Sequence, residues 1–141
     1  MTLTPDVTLA DRYQLEERIA VGGMGEVWRA QDQLLSRRVA VKVLKPEYAA
    51  DPTFLERFRN EAKHTAALAH PGIANVFDYG EIGGMAFLVM ECVPGEPLSA
   101  LLAREGPLPA SRTLDIIGQA GLALARRRYR TVSHHLRRPE G

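Results

Sequence analysis

A lysine in a β-branched run, a glutamate in the helical run after it, and a glycine-rich turn ahead of both are the residues best placed for chemistry. Lys42 stands in Val39-Ala40-Val41-Lys42-Val43-Leu44 and Glu61 in Phe58-Arg59-Asn60-Glu61. The turn is Ala20-Val21-Gly22-Gly23-Met24-Gly25-Glu26-Val27. Glycines, lacking a Cβ, let backbone come close to phosphate oxygens, and a lysine held by a carboxylate supplies a fixed point charge beside them. Together they suit the binding of a nucleoside triphosphate. A gap downstream is equally informative. No aspartate follows Asp115 and no asparagine follows Asn75 in the 141 residues. Oxygen ligands that would hold magnesium and orient a substrate are therefore missing.

These residues need elements to position them. Tyr13 to Val21 reads as a strand entering the glycine turn, and Glu26 to Ala30 as the strand leaving it, with Val27 and Arg29 on one face and Trp28 and Ala30 on the other. Arg37 to Leu44 is the strongest strand pattern, β-branched and alternating. Val39, Val41 and Val43 share one face, and Lys42 lies with Ala40 and Leu44 on the other. Asp51-Pro52 gives a helix start, with Asp as N-cap and Pro in the first helical position. Phe54, Phe58, Ala62, Thr65, Ala66 and Ala69 then recur at helical spacing, and Glu61 beside that stripe is expected to point at the sheet. Ile73 to Tyr79 and Met85 to Val93 read as two strands joined around Gly83-Gly84. Leu98 to Ala103 suggests a short helix, and a second follows Pro109 with an apolar stripe of Leu114, Ile117, Gly121 and Leu124. The order is three strands, a helix, two strands and two helices, an α+β arrangement.

Composition sets the bounds. A chain with 45% hydrophobic and 25% charged residues is that of an ordinary globular protein, neither disordered nor fibrous. A single cysteine, Cys92, excludes an internal disulfide and fits a reducing compartment. It has no basic neighbour to activate the thiol. No apolar run approaches the ~20 residues that span a bilayer, and the first residues lack the pattern of a signal peptide. A cytoplasmic location is expected. The net charge of +1 conceals an asymmetry, because residues 126–141 hold six arginines against Glu140, leaving a body of −4 and a tail of +5.

In order along the chain, the glycine turn, Val39-Ala40-Val41-Lys42, Phe58-Arg59-Asn60-Glu61, His70-Pro71-Gly72-Ile73 and Leu88-Val89-Met90-Glu91-Cys92-Val93 before Pro94-Gly95 make one pattern. It resembles the N-terminal lobe of bacterial serine/threonine protein kinases of the eukaryotic type, over roughly residues 11–125. The resemblance implies a five-stranded antiparallel sheet with one helix, followed by the first two helices of the C-terminal lobe. It implies residues 1–10 as an N-terminal extension, 11–93 as the N-lobe with glycine loop and hinge, and 94–125 as the start of the C-lobe. ATP is the implied ligand, with magnesium in the intact family. Gly22, Gly23 and Gly25 would cover phosphates, although the first glycine of Gly-x-Gly-x-x-Gly is here Ala20. Lys42 would pair with the α- and β-phosphates, held by Glu61. Val27 and Ala40 would pack on the adenine, Met90 would gate the back of the pocket, and the Glu91 carbonyl and Val93 amide would bind the adenine edge. Lys45 reads as an ordinary solvated lysine.

The departure comes after Ala125. The family runs into His-Arg-Asp with a downstream Asn and then Asp-Phe-Gly, whereas here Arg126-Arg127-Arg128-Tyr129-Arg130 follows. The expectation is the ATP-binding portion of a serine/threonine kinase, inactive as a truncated chain, with no metal site of its own. The alternative is a non-catalytic module that binds a partner kinase through the lobe, or an anionic polymer through its tail. The tail itself, residues 126–141, reads as disordered or off-frame rather than as a specific nucleic-acid arm or a metal site at His134-His135.

Overall fold

The computed structural model describes residues 3–68, 72–95, 98–120 and 122. The basic tail, Ala69, His70, Pro71 and Leu124 lie outside the described residues. The chain divides into two units, the first running to Ala67 and resuming at Ala74–Cys92, the second made of Leu68–Ile73 and the chain from Val93.

In the first unit, β4 (Arg37–Leu44) has the alternation expected of it: Val39, Val41 and Val43 are buried on one face, Ala40 and Leu44 on the other. It lies inside a six-stranded antiparallel sheet with β1 (Thr8–Leu9), β2 (Tyr13–Val21), β3 (Gly25–Asp32), β5 (Val76–Ile82) and β6 (Met85–Glu91). Their order across the sheet is β1-β2-β3-β4-β6-β5. The α+β expectation holds. The two-residue β1 extends the five expected strands by one, pairing Thr8 with Gln14 and Leu9 with Tyr13. β5 starts and ends three residues later than its sequence pattern suggests. Gly83 and Gly84, with φ of 57° and 79°, make a two-residue turn that carries the ladder to Ile82 opposite Met85.

Each face of the sheet has its own core. On one side Trp28, Ala30, Val39, Val41, Val43, Phe87 and Val89 pack with Leu9, Tyr13 and Leu15. On the other, Leu44, Ala86 and Leu88 meet Phe58 and Ala62 of α2 (Pro52–Ala66). That helix begins as read: Asp51 accepts a hydrogen bond from the Thr53 N–H at 2.9 Å, and Pro52 stands in the first turn. A one-turn helix, α1 (Pro46–Ala49), precedes it.

The return from β3 to β4 is built on Asp32, the one buried charged side chain among the described residues. Its carboxylate accepts from Arg12 Nε and Nη2, both at 2.9 Å, and from the Leu34 and Leu35 N–H groups at 3.0 and 3.2 Å. The Arg12 hydrogen bonds, helped by the two amides and opposed by burial, pull the Asp32 pKa from 3.8 down to about 2. Next to it, the Tyr13 hydroxyl donates to Asp78 at 2.6 Å, and burial drives its pKa upward.

The second unit contains α3 (Leu98–Glu105) and further helical turns over residues 110–120. Gly106, with φ of 71°, closes α3 by donating to the Leu102 carbonyl. Leu98, Leu102, Leu114 and Ile117 are exposed, and no described helix is long and apolar enough to cross a membrane.

Candidate functional site

Strand register brings the expected residues of the sheet together. Val27, Lys42 and Leu88 are cross-strand partners in one row; Arg29, Ala40 and Met90 form the next; Gly25, Leu44 and Ala86 form the row beyond. Directly paired residues share a face, so Val27, Ala40, Lys42 and Met90 occupy a single surface. Lys42 is half-buried there among apolar neighbours. Its ammonium makes no hydrogen bond or ion pair among the described residues. An ammonium left without a protein counter-ion beside an apolar surface is open to an anionic ligand.

The glycine turn divides into two kinds of position. At Gly25 the chain passes so close to β4 that a Cβ would overlap the Val43 carbonyl oxygen. Glycine is required there by the sheet itself. At Gly23 an added Cβ would meet nothing within 4 Å, and at Gly22 only the Gly25 oxygen at 3.7 Å. Neither has a positive φ. The hairpin, closed by the Gly22 N–H on the Gly25 carbonyl at 2.8 Å, therefore does not itself need glycine at 22 or 23. Bare backbone at these two positions suits the approach of an outside ligand.

Glu61 is not brought to Lys42. Phe58 and Ala62 turn inward one helical turn apart, and Arg59 reaches Glu81 of β5 through a two-pronged contact of 2.6 and 2.8 Å. The Tyr79 hydroxyl donates to the same carboxylate at 2.8 Å. These bonds hold the Glu81 carboxyl below its ordinary pKa, with Arg59 the main cause. Burial, then the Glu81 bond, raises Tyr79 to about 12. With α2 set by these contacts, Glu61 projects from the exposed flank rather than toward the sheet. The apolar stripe marks Ala62 as buried but does not decide which side of it the neighbouring residue takes.

Met90, expected to gate the back of the pocket, and Glu91, expected at the adenine edge, end β6 half-buried. Glu91 exchanges bonds with Asn75: its N–H donates to the Asn75 carbonyl at 2.8 Å, and its side chain accepts from the Asn75 N–H at 3.2 Å. Val93 is exposed and belongs to the second unit. Cys92 is a free, half-buried thiol. One residue read as solvated lies at the glycine turn: Lys45 Nζ is 3.5 Å from the Gly23 carbonyl. Sequence spacing hides this, because Lys45 lies beyond the strand whose alternation places Lys42.

The protein kinase domain family matches residues 13–135. The serine/threonine-protein kinase PknA of Mycobacterium tuberculosis (strain ATCC 25618 / H37Rv) is 57% identical over 123 residues, 84% of this chain and 28% of that protein. PknB of the same strain is 44% identical over 126 residues, 86% of this chain and 20% of that protein. The crystal structure of the M. tuberculosis PknI kinase domain superposes with a TM-score of 0.78 at 34% identity, covering 92% of this chain and 52% of the other. The chain thus spans well under half the length of these two curated relatives.

Proposed function

The chain belongs to the protein kinase domain family, and we propose that its 141 residues are the ATP-binding part of a serine/threonine protein kinase that does not transfer phosphate by itself. The observation that carries this reading is Lys42: a half-buried residue on an apolar sheet face, whose ammonium has no protein counter-ion among the described residues. In this reading its partner is phosphate. Gly22, Gly23 and Gly25 give the backbone that lies over the phosphate groups, and Val27 and Ala40 form the apolar surface under the adenine. Met90 lines the back of the pocket, while Glu91 and Val93 offer main-chain groups to the adenine edge. Glu61 becomes the partner of Lys42 once nucleotide is bound, which requires its flank of α2 to turn inward.

The residues on this face do not fit magnesium. The row neighbours of Lys42 are Val27 and Leu88, and those of Ala40 are Arg29 and Met90, none of which carries an oxygen ligand. Nor does the sequence after Asp115 hold an aspartate to take the proton of a hydroxyl substrate. A general base contributes about 10²–10⁴-fold, and electrostatic stabilisation of the transferring group is lost as well. In this reading the catalytic loop and metal-binding residues lie outside these 141 residues. The organisation as N-lobe over 11–93, start of C-lobe over 94–125 and basic tail over 126–141 belongs to the same proposal. So does a cytoplasmic setting, supported by the lone cysteine.

The test is incubation of the chain with ATP, magnesium and a protein substrate. No phosphate transfer is expected. Transfer that disappears in Lys42→Ala would overturn the inactivity.

A further inference from the structure

Lys45 touches the glycine turn at two points. Lys45 follows β4 in an extended conformation (φ −59°, ψ 147°) and precedes Pro46, which disfavours a helical turn at that point. Its backbone N–H donates to the Met24 carbonyl at 3.0 Å. Its ammonium lies 3.5 Å from the Gly23 carbonyl. Two successive carbonyls at the tip of the turn are thus directed to the same residue.

A trans peptide unit points its C=O and N–H in opposite directions, and no peptide bond described here is cis. Carbonyls of Gly23 and Met24 turned toward Lys45 therefore send the N–H groups of Met24 and Gly25 the other way. Successive N–H groups presented together in a turn form an anion-binding concavity. The two contacts differ in permanence. The Met24 carbonyl is fixed by main chain beside Gly25, which is itself wedged against Val43. The Gly23 carbonyl has only the lysine side chain for a partner among the described residues, at a glycine with open space around it.

We infer that Lys45 is a positioning residue for nucleotide binding: its ammonium draws back the Gly23 carbonyl and so aims the amide of Met24 at the phosphate groups. The inference rests on the ATP reading above and adds a residue to it. It differs from the role of Lys42, whose charge would meet phosphate directly. Lys45 acts on the turn even with no ligand present, which separates the inference from a simple gain in positive charge.

The experiment uses the 141-residue chain with Lys45→Met and Lys45→Arg. Nitrogen-15 relaxation of the Gly23 and Met24 amides, without ligand, reports the order of the turn. Affinities for ATP and for adenosine report its consequence. Lys45→Met is expected to lower the order of both amides and to weaken ATP about 3- to 10-fold, roughly the loss of one modest hydrogen bond. Adenosine binding stays unchanged, and Lys45→Arg restores both readouts. Unchanged amide order in Lys45→Met overturns the inference even if ATP binding weakens, because the lysine then acts only as a charge. Equal weakening of ATP and adenosine overturns it too. Failure of the ATP reading is recognisable separately, as an unmodified chain that binds neither compound.

Discussion

The Val43 carbonyl oxygen occupies the place that a Cβ on Gly25 would take. Gly25 is therefore a structural glycine as well as a member of the glycine turn, whereas Gly23 is free of such a constraint. Replacing each by alanine separates the two roles. Gly25→Ala forces β3 away from β4 and is expected to cost roughly 1–3 kcal/mol, as for other overpacked sites. Gly23→Ala leaves urea-induced unfolding unchanged and weakens ATP binding. Equal stability of the two variants would contradict the assignment.

Glu61 gives the second prediction. It is exposed and forms no ion pair with Lys42 among the described residues. Glu61→Gln should therefore leave stability within about 0.5 kcal/mol, the usual range for a surface change. If Glu61 joins Lys42 on nucleotide binding, the same variant lowers ATP affinity several-fold. Thermal melting with and without ATP reads both effects. A large loss of stability without ligand would show that the carboxylate already has a structural partner.

Much of the sheet was legible in the sequence because each strand carries its own signal. β2 and β4 match their sequence patterns to the residue, and the alternation of Arg37–Leu44 sorts Lys42 onto the face with Ala40 and Leu44. The Asp51 cap was legible for the same reason, since Asp before Pro is a local pattern. Features set by distant pairing were not. The outward direction of Glu61 follows from Phe58 and Ala62 packing on Leu44, Ala86 and Leu88 of the sheet. The contact of Lys45 with Gly23 joins residues 22 apart. The buried Asp32 is a middle case: its bonds to the Leu34 and Leu35 amides are a local turn pattern, but its pairing with Arg12 depends on β2 lying beside β3.

Asp32 makes stability depend on acid pH. Its pKa is about 2 in the folded chain against 3.8 as its ordinary value, so the unfolded chain binds the proton more readily. The stabilisation is complete above about pH 5 and is lost as pH falls toward 2, with a total on the order of 2 kcal/mol. Asp32→Asn removes this contribution, so the difference in stability between the two proteins narrows across that window. At neutral pH the variant is expected to be less stable, because an uncharged amide cannot pair with the charged Arg12 as the carboxylate does. Denaturant titrations at several pH values measure the difference. A gap that stays constant from pH 5 to pH 2 would sink this account of Asp32.

The central claim is that these residues bind ATP through Lys42, and calorimetric titration of the chain with ATP tests it most directly. The account predicts saturable but weak binding, with a dissociation constant above roughly 100 μM, about −5.5 kcal/mol or weaker. Lys42→Ala should abolish it while leaving the fold intact by circular dichroism. Binding that is indifferent to Lys42→Ala, or no saturable binding by a folded chain, would contradict the claim.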